Sequence, residues 1–123
     1  MIAVAWVMLG GALGAAARHS MSRLIPHTPG ITFPWSTFFV NLIGRLLIGL
    51  LAGYVDRRSG ATTITRWLWM SGFCGGFTTF SAFSLETIQL MQQARWSVVI
   101  PYVVGSVIMG LFATWAGLQL VRQ

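Results

Sequence analysis

Apolar residues fill the chain in four long blocks, separated by short stretches rich in Pro, Gly and polar residues. A helix needs roughly 20 mostly apolar residues to cross a bilayer. The pattern predicts such helices at about Ile2 to Leu24, Trp35 to Tyr54, Trp67 to Met91 and Trp96 to Val121. Between the first two, Ile25 to Pro34 holds three prolines and Gly30, which end helices and make turns. Asp56 to Arg66 is a polar connection with Ser59-Gly60 as its turn, and Gln92 to Arg95 is a tight polar turn. Trp35, Trp67 and Trp96 each open a span, where an indole suits the headgroup level. The expected fold is all-α: one four-helix membrane domain over residues 1–123, with no room for a soluble domain.

Composition agrees. Hydrophobic residues make up 55 % and charged residues only 8 %, against about 25 % charged in a soluble domain. That excludes a soluble globular domain, a disordered tail and a coiled coil. Ala15-Ala16-Ala17 resembles a cleavage site, yet the basic n-region of a secretory signal is missing, so the first block is expected to remain as a span. The net charge is +6, and all eight basic residues are Arg. They are scattered singly apart from Arg57-Arg58, not gathered on the basic face that nucleic-acid binding needs. Cys74 is the only cysteine, which excludes an intrachain disulfide and a thiolate metal site; it reads as a small apolar residue in a span.

Charge also bears on orientation. With the termini inside, the inner segments carry Arg57, Arg58, Arg66 and Arg122; with the termini outside they carry Arg18, Arg23 and Arg95. Four against three is hardly a bias under the positive-inside rule. The chain is therefore expected to insert both ways, which allows an antiparallel homodimer with its two-fold axis in the membrane plane. Such a dimer has the symmetry that inverted repeats give to transporters.

Polar groups within spans must be satisfied by protein or water, and so mark function. The longest such stretch runs from Gly72 to Glu86 in the third span. Gly75-Gly76 costs about 2 kcal/mol of helix propensity relative to two alanines, and Thr78-Thr79 follows at once. Close helix packing through small residues is one reading. A helix broken near its middle is the stronger one, because a break frees carbonyl oxygens to hold a hard cation, and a second half-helix starting near Thr79 points its positive end at the break. Phe80 and Phe83 share one face of that half-helix, with Ser81 and Ser84 on the adjacent face. Phenylalanines there suit lipid or core, or else present their positive ring edges to an anion. In the second span Thr37 and Asn41 lie one turn apart, either bonding across helices or lining an ion path with an amide N–H. In the fourth, Tyr102, Ser106 and Gly110 form a stripe that suits packing or supplies two hydroxyl donors. Arg45 lies mid-span, costly unless paired or hydrated. Glu86 is the only membrane acid available to Arg45 or Arg18, and the sequence leaves both pairings open.

The run Gly75-Gly76-Phe77-Thr78-Thr79-Phe80-Ser81-Ala82-Phe83-Ser84-Leu85-Glu86 resembles the third span of the Fluc (CrcB-type) fluoride channels. Gly10 to Arg18 in the first span and Val40-Asn41-Leu42-Ile43-Gly44 in the second support the resemblance, as do length and span count. It implies a passive, fluoride-selective channel of the bacterial cytoplasmic (inner) membrane that relieves fluoride toxicity, working as an antiparallel homodimer with two pores. It further implies that Phe80 and Phe83 line the pores edge-on and that Asn41, Tyr102 and Ser106 contribute donors. The expected fluoride path also takes in Thr37, Thr79, Ser81 and Ser84. Arg18 would make the vestibule electropositive, and backbone carbonyls at Gly75 and Thr78 would hold a structural Na⁺ at the dimer interface. Two positions depart from the family pattern: Arg45 replaces a small or apolar residue, and Gly110 stands where another hydroxyl is common.

Other classes fit less well. A small dual-topology, proton-coupled multidrug exporter is the alternative, but it needs a carboxylate in the first span, which has none. A non-catalytic subunit of a larger assembly would not need the broken helix and the phenylalanine pair together. An enzyme lacks support, because the chain shows no nucleophile–base pair, metal-ligand cluster or phosphate loop.

Overall fold

The computed structural model describes residues 1–58 and 62–123. The Ser59-Gly60 turn expected from the sequence lies outside the described residues. The described residues are helical and connecting segments, with no strand among them. Helix α1 spans Ile2–Leu24 and α2 spans Trp35–Arg57, where Pro34 leads in without an N–H to lose. The third block is composite. A π-helical segment, Thr65–Cys74, runs into one α-turn, α3 (Gly75–Phe77), and the chain resumes as α4 (Phe80–Gln92). Helix α5 spans Trp96–Arg122 and carries Pro101 in its second turn. Helices α1, α2 and α5 are each long and apolar enough to cross a membrane; the two halves of the third block would do so only together.

The third block is interrupted, but not at its glycines. Gly75 keeps helical angles (φ −63°, ψ −38°), and the chain becomes extended at Thr78 (φ −75°, ψ 156°) and Thr79 (φ −146°, ψ 117°). The glycines serve packing instead. A Cβ on Gly76 would lie 3.0 Å from the Gly11 Cα, and one on Gly72 would lie 2.9 Å from the Gly10 Cα. The N-terminal half of the third block thus lies backbone to backbone against α1, the small-residue packing that membrane helices use. The same device joins α2 to α5: a Cβ on Gly117 would lie 2.5 Å from the Leu46 carbonyl oxygen, and one on Gly49 would overlap that of Thr114. The π-helical turns have no counterpart in the apolar pattern, because a wider turn leaves the composition unchanged.

Polarity is distributed inside out. Leu9, Leu13, Ile108, Leu111 and Phe112 are exposed, whereas Thr37, Asn41, Thr79, Thr87 and Ser106 are buried. In water this would be unfavourable, but hydrocarbon reverses the preference for the outer face. Near one end, Phe38, Leu90, Val99 and Tyr102 form a packed core with Phe33 and Phe83 against it. The tight turn before α5 closes with Ala94 at φ 52°.

Candidate functional site: a clasped helix break between two cavities

A helix break at membrane depth strands backbone groups, and α2 meets them with one side chain. The Thr79 N–H donates to Asn41 Oδ1 at 2.7 Å, and the Thr79 carbonyl accepts from Asn41 Nδ2 at 3.0 Å. A planar amide offers donor and acceptor side by side, so it replaces the helical acceptor that the Thr79 N–H lacks and adds a second donor to the carbonyl that opens α4. Both residues are buried. The Thr79 hydroxyl caps α4 by accepting from the Ala82 N–H at 3.1 Å, and it also lies 3.1 Å from Ser81 Oγ.

Two cavities meet at this clasp. The first, about 480 Å³, is lined by Arg18, Thr37, Ser81 and Glu86 together with His19 and His27. The second, about 290 Å³, is lined by Asn41, Arg45, Gly75, Thr78 and Phe80. Thr79 lines both. Eight of the expected path, vestibule and cation residues are thereby gathered around one break, Arg18, Thr37 and Ser81 on one side, Asn41, Gly75, Thr78 and Phe80 on the other, and Thr79 between them.

The remaining ones are placed differently. The rings of Phe80 and Phe83 are 5.6 Å apart and tilted by 36°. Phe80 is 76 % exposed in the single chain, while Phe83 packs 5.1 Å from the Tyr102 ring. The Ser84 hydroxyl donates to the Phe80 carbonyl of its own helix at 2.9 Å and lines neither cavity. Ser106 Oγ is buried and has no protein partner among the described residues.

Glu86 is where donors converge. Thr37 Oγ1 donates to its Oε1 and Tyr102 OH to its Oε2, both at 2.7 Å, and His27 Nε2 lies 3.8 Å from Oε1. Neither arginine left open by the sequence is its partner. Arg45 instead donates from Nη1 to the Ser106 carbonyl. Two expected donors, Thr37 and Tyr102, thus direct their protons at a carboxylate. Sequence reasoning missed this convergence. The available signal was one span acid with hydroxyl-bearing residues on neighbouring spans. Among the described residues no three His, Cys, Asp or Glu side chains gather.

Comparison with known proteins shows the family of the chain. Residues 5–118 match the family described as "CrcB-like protein, Camphor Resistance (CrcB)". The chain is 39 % identical to a fluoride-specific ion channel FluC of Flavobacterium psychrophilum, covering all of this chain and 99 % of that one. It is 42 % identical to the protein of the same name from Methylobacillus flagellatus, over all of this chain and 97 % of the relative. It is also 42 % identical to that of Novosphingobium aromaticivorans, over 99 % and 98 % of the two chains.

Proposed function

Because the chain belongs to the CrcB family, we propose that it is a fluoride channel, a multi-pass protein of the bacterial cytoplasmic membrane that lets fluoride leave the cell passively. One observation carries the reading beyond the names of relatives: a helix break clasped by Asn41 joins an Arg18-lined vestibule to a cavity bearing Phe80. Fluoride is small and strongly hydrated, so a path for it needs hydrogen-bond donors at each step and no site that binds too well. Arg18 raises the anion concentration at the mouth. Ser81 and Thr79 offer hydroxyls at the break, and Asn41 has a second amide N–H beyond the one given to Thr79. Phe80 then presents a ring edge in the second cavity.

In this reading the third span crosses as two halves, making four crossings, and two copies assemble antiparallel. Support comes from the near-even Arg count of the two orientations, and from Phe80, whose exposure suits contact with a second copy. The sodium site fits too. In an unbroken helix the Gly75 and Thr78 carbonyls would accept from the N–H groups of Thr79 and Ala82, which here go to Asn41 Oδ1 and Thr79 Oγ1. A Cβ on Gly75 would meet nothing within 4 Å, so the chain at Gly75 is open to a partner copy. These two carbonyls, with their symmetry mates, would hold Na⁺, a hard cation that takes oxygen ligands. Its bound charge would tie the copies together across the axis.

Purified protein in liposomes, read with a fluoride electrode, tests the proposal. Rapid fluoride release without chloride release is expected, and it should be lost in Phe80→Ile. Folded wild-type protein that releases no fluoride would refute it.

A further inference from the structure

Arg45 is a charged cavity residue that the proposed path does not yet use. It stands at the eleventh of the 23 positions of α2, well inside a span. A guanidinium there is retained only when paired or hydrated, and otherwise marks an ion path. Pairing with an acid is not how it is held. Both acids are engaged elsewhere: Glu86 takes Thr37 and Tyr102, and Asp56 pairs with Arg122 at the far end of α2. Among the described residues the one bond that Arg45 makes to an acceptor is from Nη1 to the Ser106 carbonyl. A guanidinium has five N–H donors, so most of its capacity is unspent on protein.

Its seat is specific. A Cβ on Gly110 would overlap Arg45 Nη1 and lie 2.7 Å from Cδ and 2.8 Å from Cζ. The side chain therefore lies flat on α5 only because position 110 is glycine, and the two departures from the family pattern are one feature. From this seat Arg45 lines the same cavity as Asn41, Thr79 and Phe80. The residue whose carbonyl it grips, Ser106, holds a buried hydroxyl with no protein partner.

We infer that Arg45, seated on Gly110, is the resident positive charge of an anion-binding station in the cavity beyond the Asn41 clasp, and that it sets how tightly this channel holds fluoride. The inference rests on the channel reading. The charge lowers the energy of an anion leaving the vestibule, while the Ser106 carbonyl occupies one N–H and keeps the guanidinium on the wall instead of in the path. A station of this kind tunes occupancy, as distinct from rejecting chloride, because a guanidinium attracts any small anion.

The test is fluoride efflux from liposomes holding the full-length protein, measured over a range of fluoride concentrations. Arg45→Leu should raise the half-saturating concentration about tenfold, the low end of what a focused field does to local ion concentration, with maximal flux kept. Arg45→Lys should restore much of the difference. Gly110→Ser, which keeps the guanidinium but removes its seat, should shift half-saturation in the same direction as Arg45→Leu. If Arg45→Leu does not reconstitute, Arg45→Lys and Gly110→Ser are read on the same scale. Unchanged half-saturation overturns the inference, and so does a loss of flux at every concentration with unchanged half-saturation, which marks a packing residue. Wild-type vesicles that release no fluoride overturn the channel reading and the inference with it. A conducting wild type with unshifted variants overturns the inference alone.

Discussion

Replacing Asn41 by Leu is the sharpest probe of the broken helix. The side chains are of similar size, so packing changes little, while both bonds to Thr79 disappear. Two magnitudes compete. Hydrogen bonds between membrane helices average only about 0.6 kcal/mol, which would put the loss of two near 1.2 kcal/mol. A buried peptide N–H left without a partner costs about 1–3 kcal/mol. The Thr79 carbonyl keeps the first intrahelical bond of α4, so its lost Asn41 bond adds only about 0.6 kcal/mol. The second figure, about 2–4 kcal/mol in all, should govern. Thr79 is only 8 % exposed and its N–H lies in an extended stretch, where no helical acceptor can take over. Asn41→Leu is therefore expected to lower stability by about 2–4 kcal/mol. Asn41→Asp, which keeps the acceptor for the Thr79 N–H but loses the donor to its carbonyl, should also destabilise. The assay is reversible unfolding in mixed micelles by increasing SDS, followed by far-ultraviolet circular dichroism. A loss near 1 kcal/mol for Asn41→Leu would refute the reasoning. It would mean that water from the two cavities flanking Thr79 satisfies its peptide groups and that the break is not held by Asn41.

Three further outcomes follow from the same structure. Tyr102→Phe removes one of the two hydroxyl donors to Glu86 and should cost about 1–3 kcal/mol; a double-mutant cycle with Thr37→Val should show non-additivity, since both bonds end on one carboxylate. Gly49→Val places a side chain against the Thr114 carbonyl and should destabilise by at least the roughly 1–3 kcal/mol of an overpacked core, with α2 and α5 forced apart; unchanged SDS resistance would contradict the close approach. Ala94→Gly relieves a left-handed residue and should stabilise by about 1 kcal/mol, seen as a later unfolding midpoint.

The hydrophobic pattern already determined the helical class and the placing of the apolar blocks. Length and apolarity suffice for that, because hydrocarbon leaves the backbone few alternatives. Helix α1 keeps the expected bounds, while α2 and α5 run past Tyr54 and Val121 to Arg57 and Arg122. Charged residues at helix ends do not register as apolar. The interruption of the third span was also legible, but the glycine pair was the wrong marker for its position. Gly75 and Gly76 stay helical because their missing side chains let the backbone rest against α1, and a contact with another helix is not written in the local sequence. The break falls at Thr78–Thr79 because Asn41 on α2 can satisfy a peptide there. Most residues of the candidate site could be picked out as polar groups where polar groups are expensive. Which of them meet was decided by tertiary packing. Glu86 goes to Thr37 and Tyr102 and not to an arginine, and Arg45 goes to Ser106 and Gly110. Partner choice depends on distances between residues 16 to 69 apart in the chain, and these are set by where glycines let backbones touch.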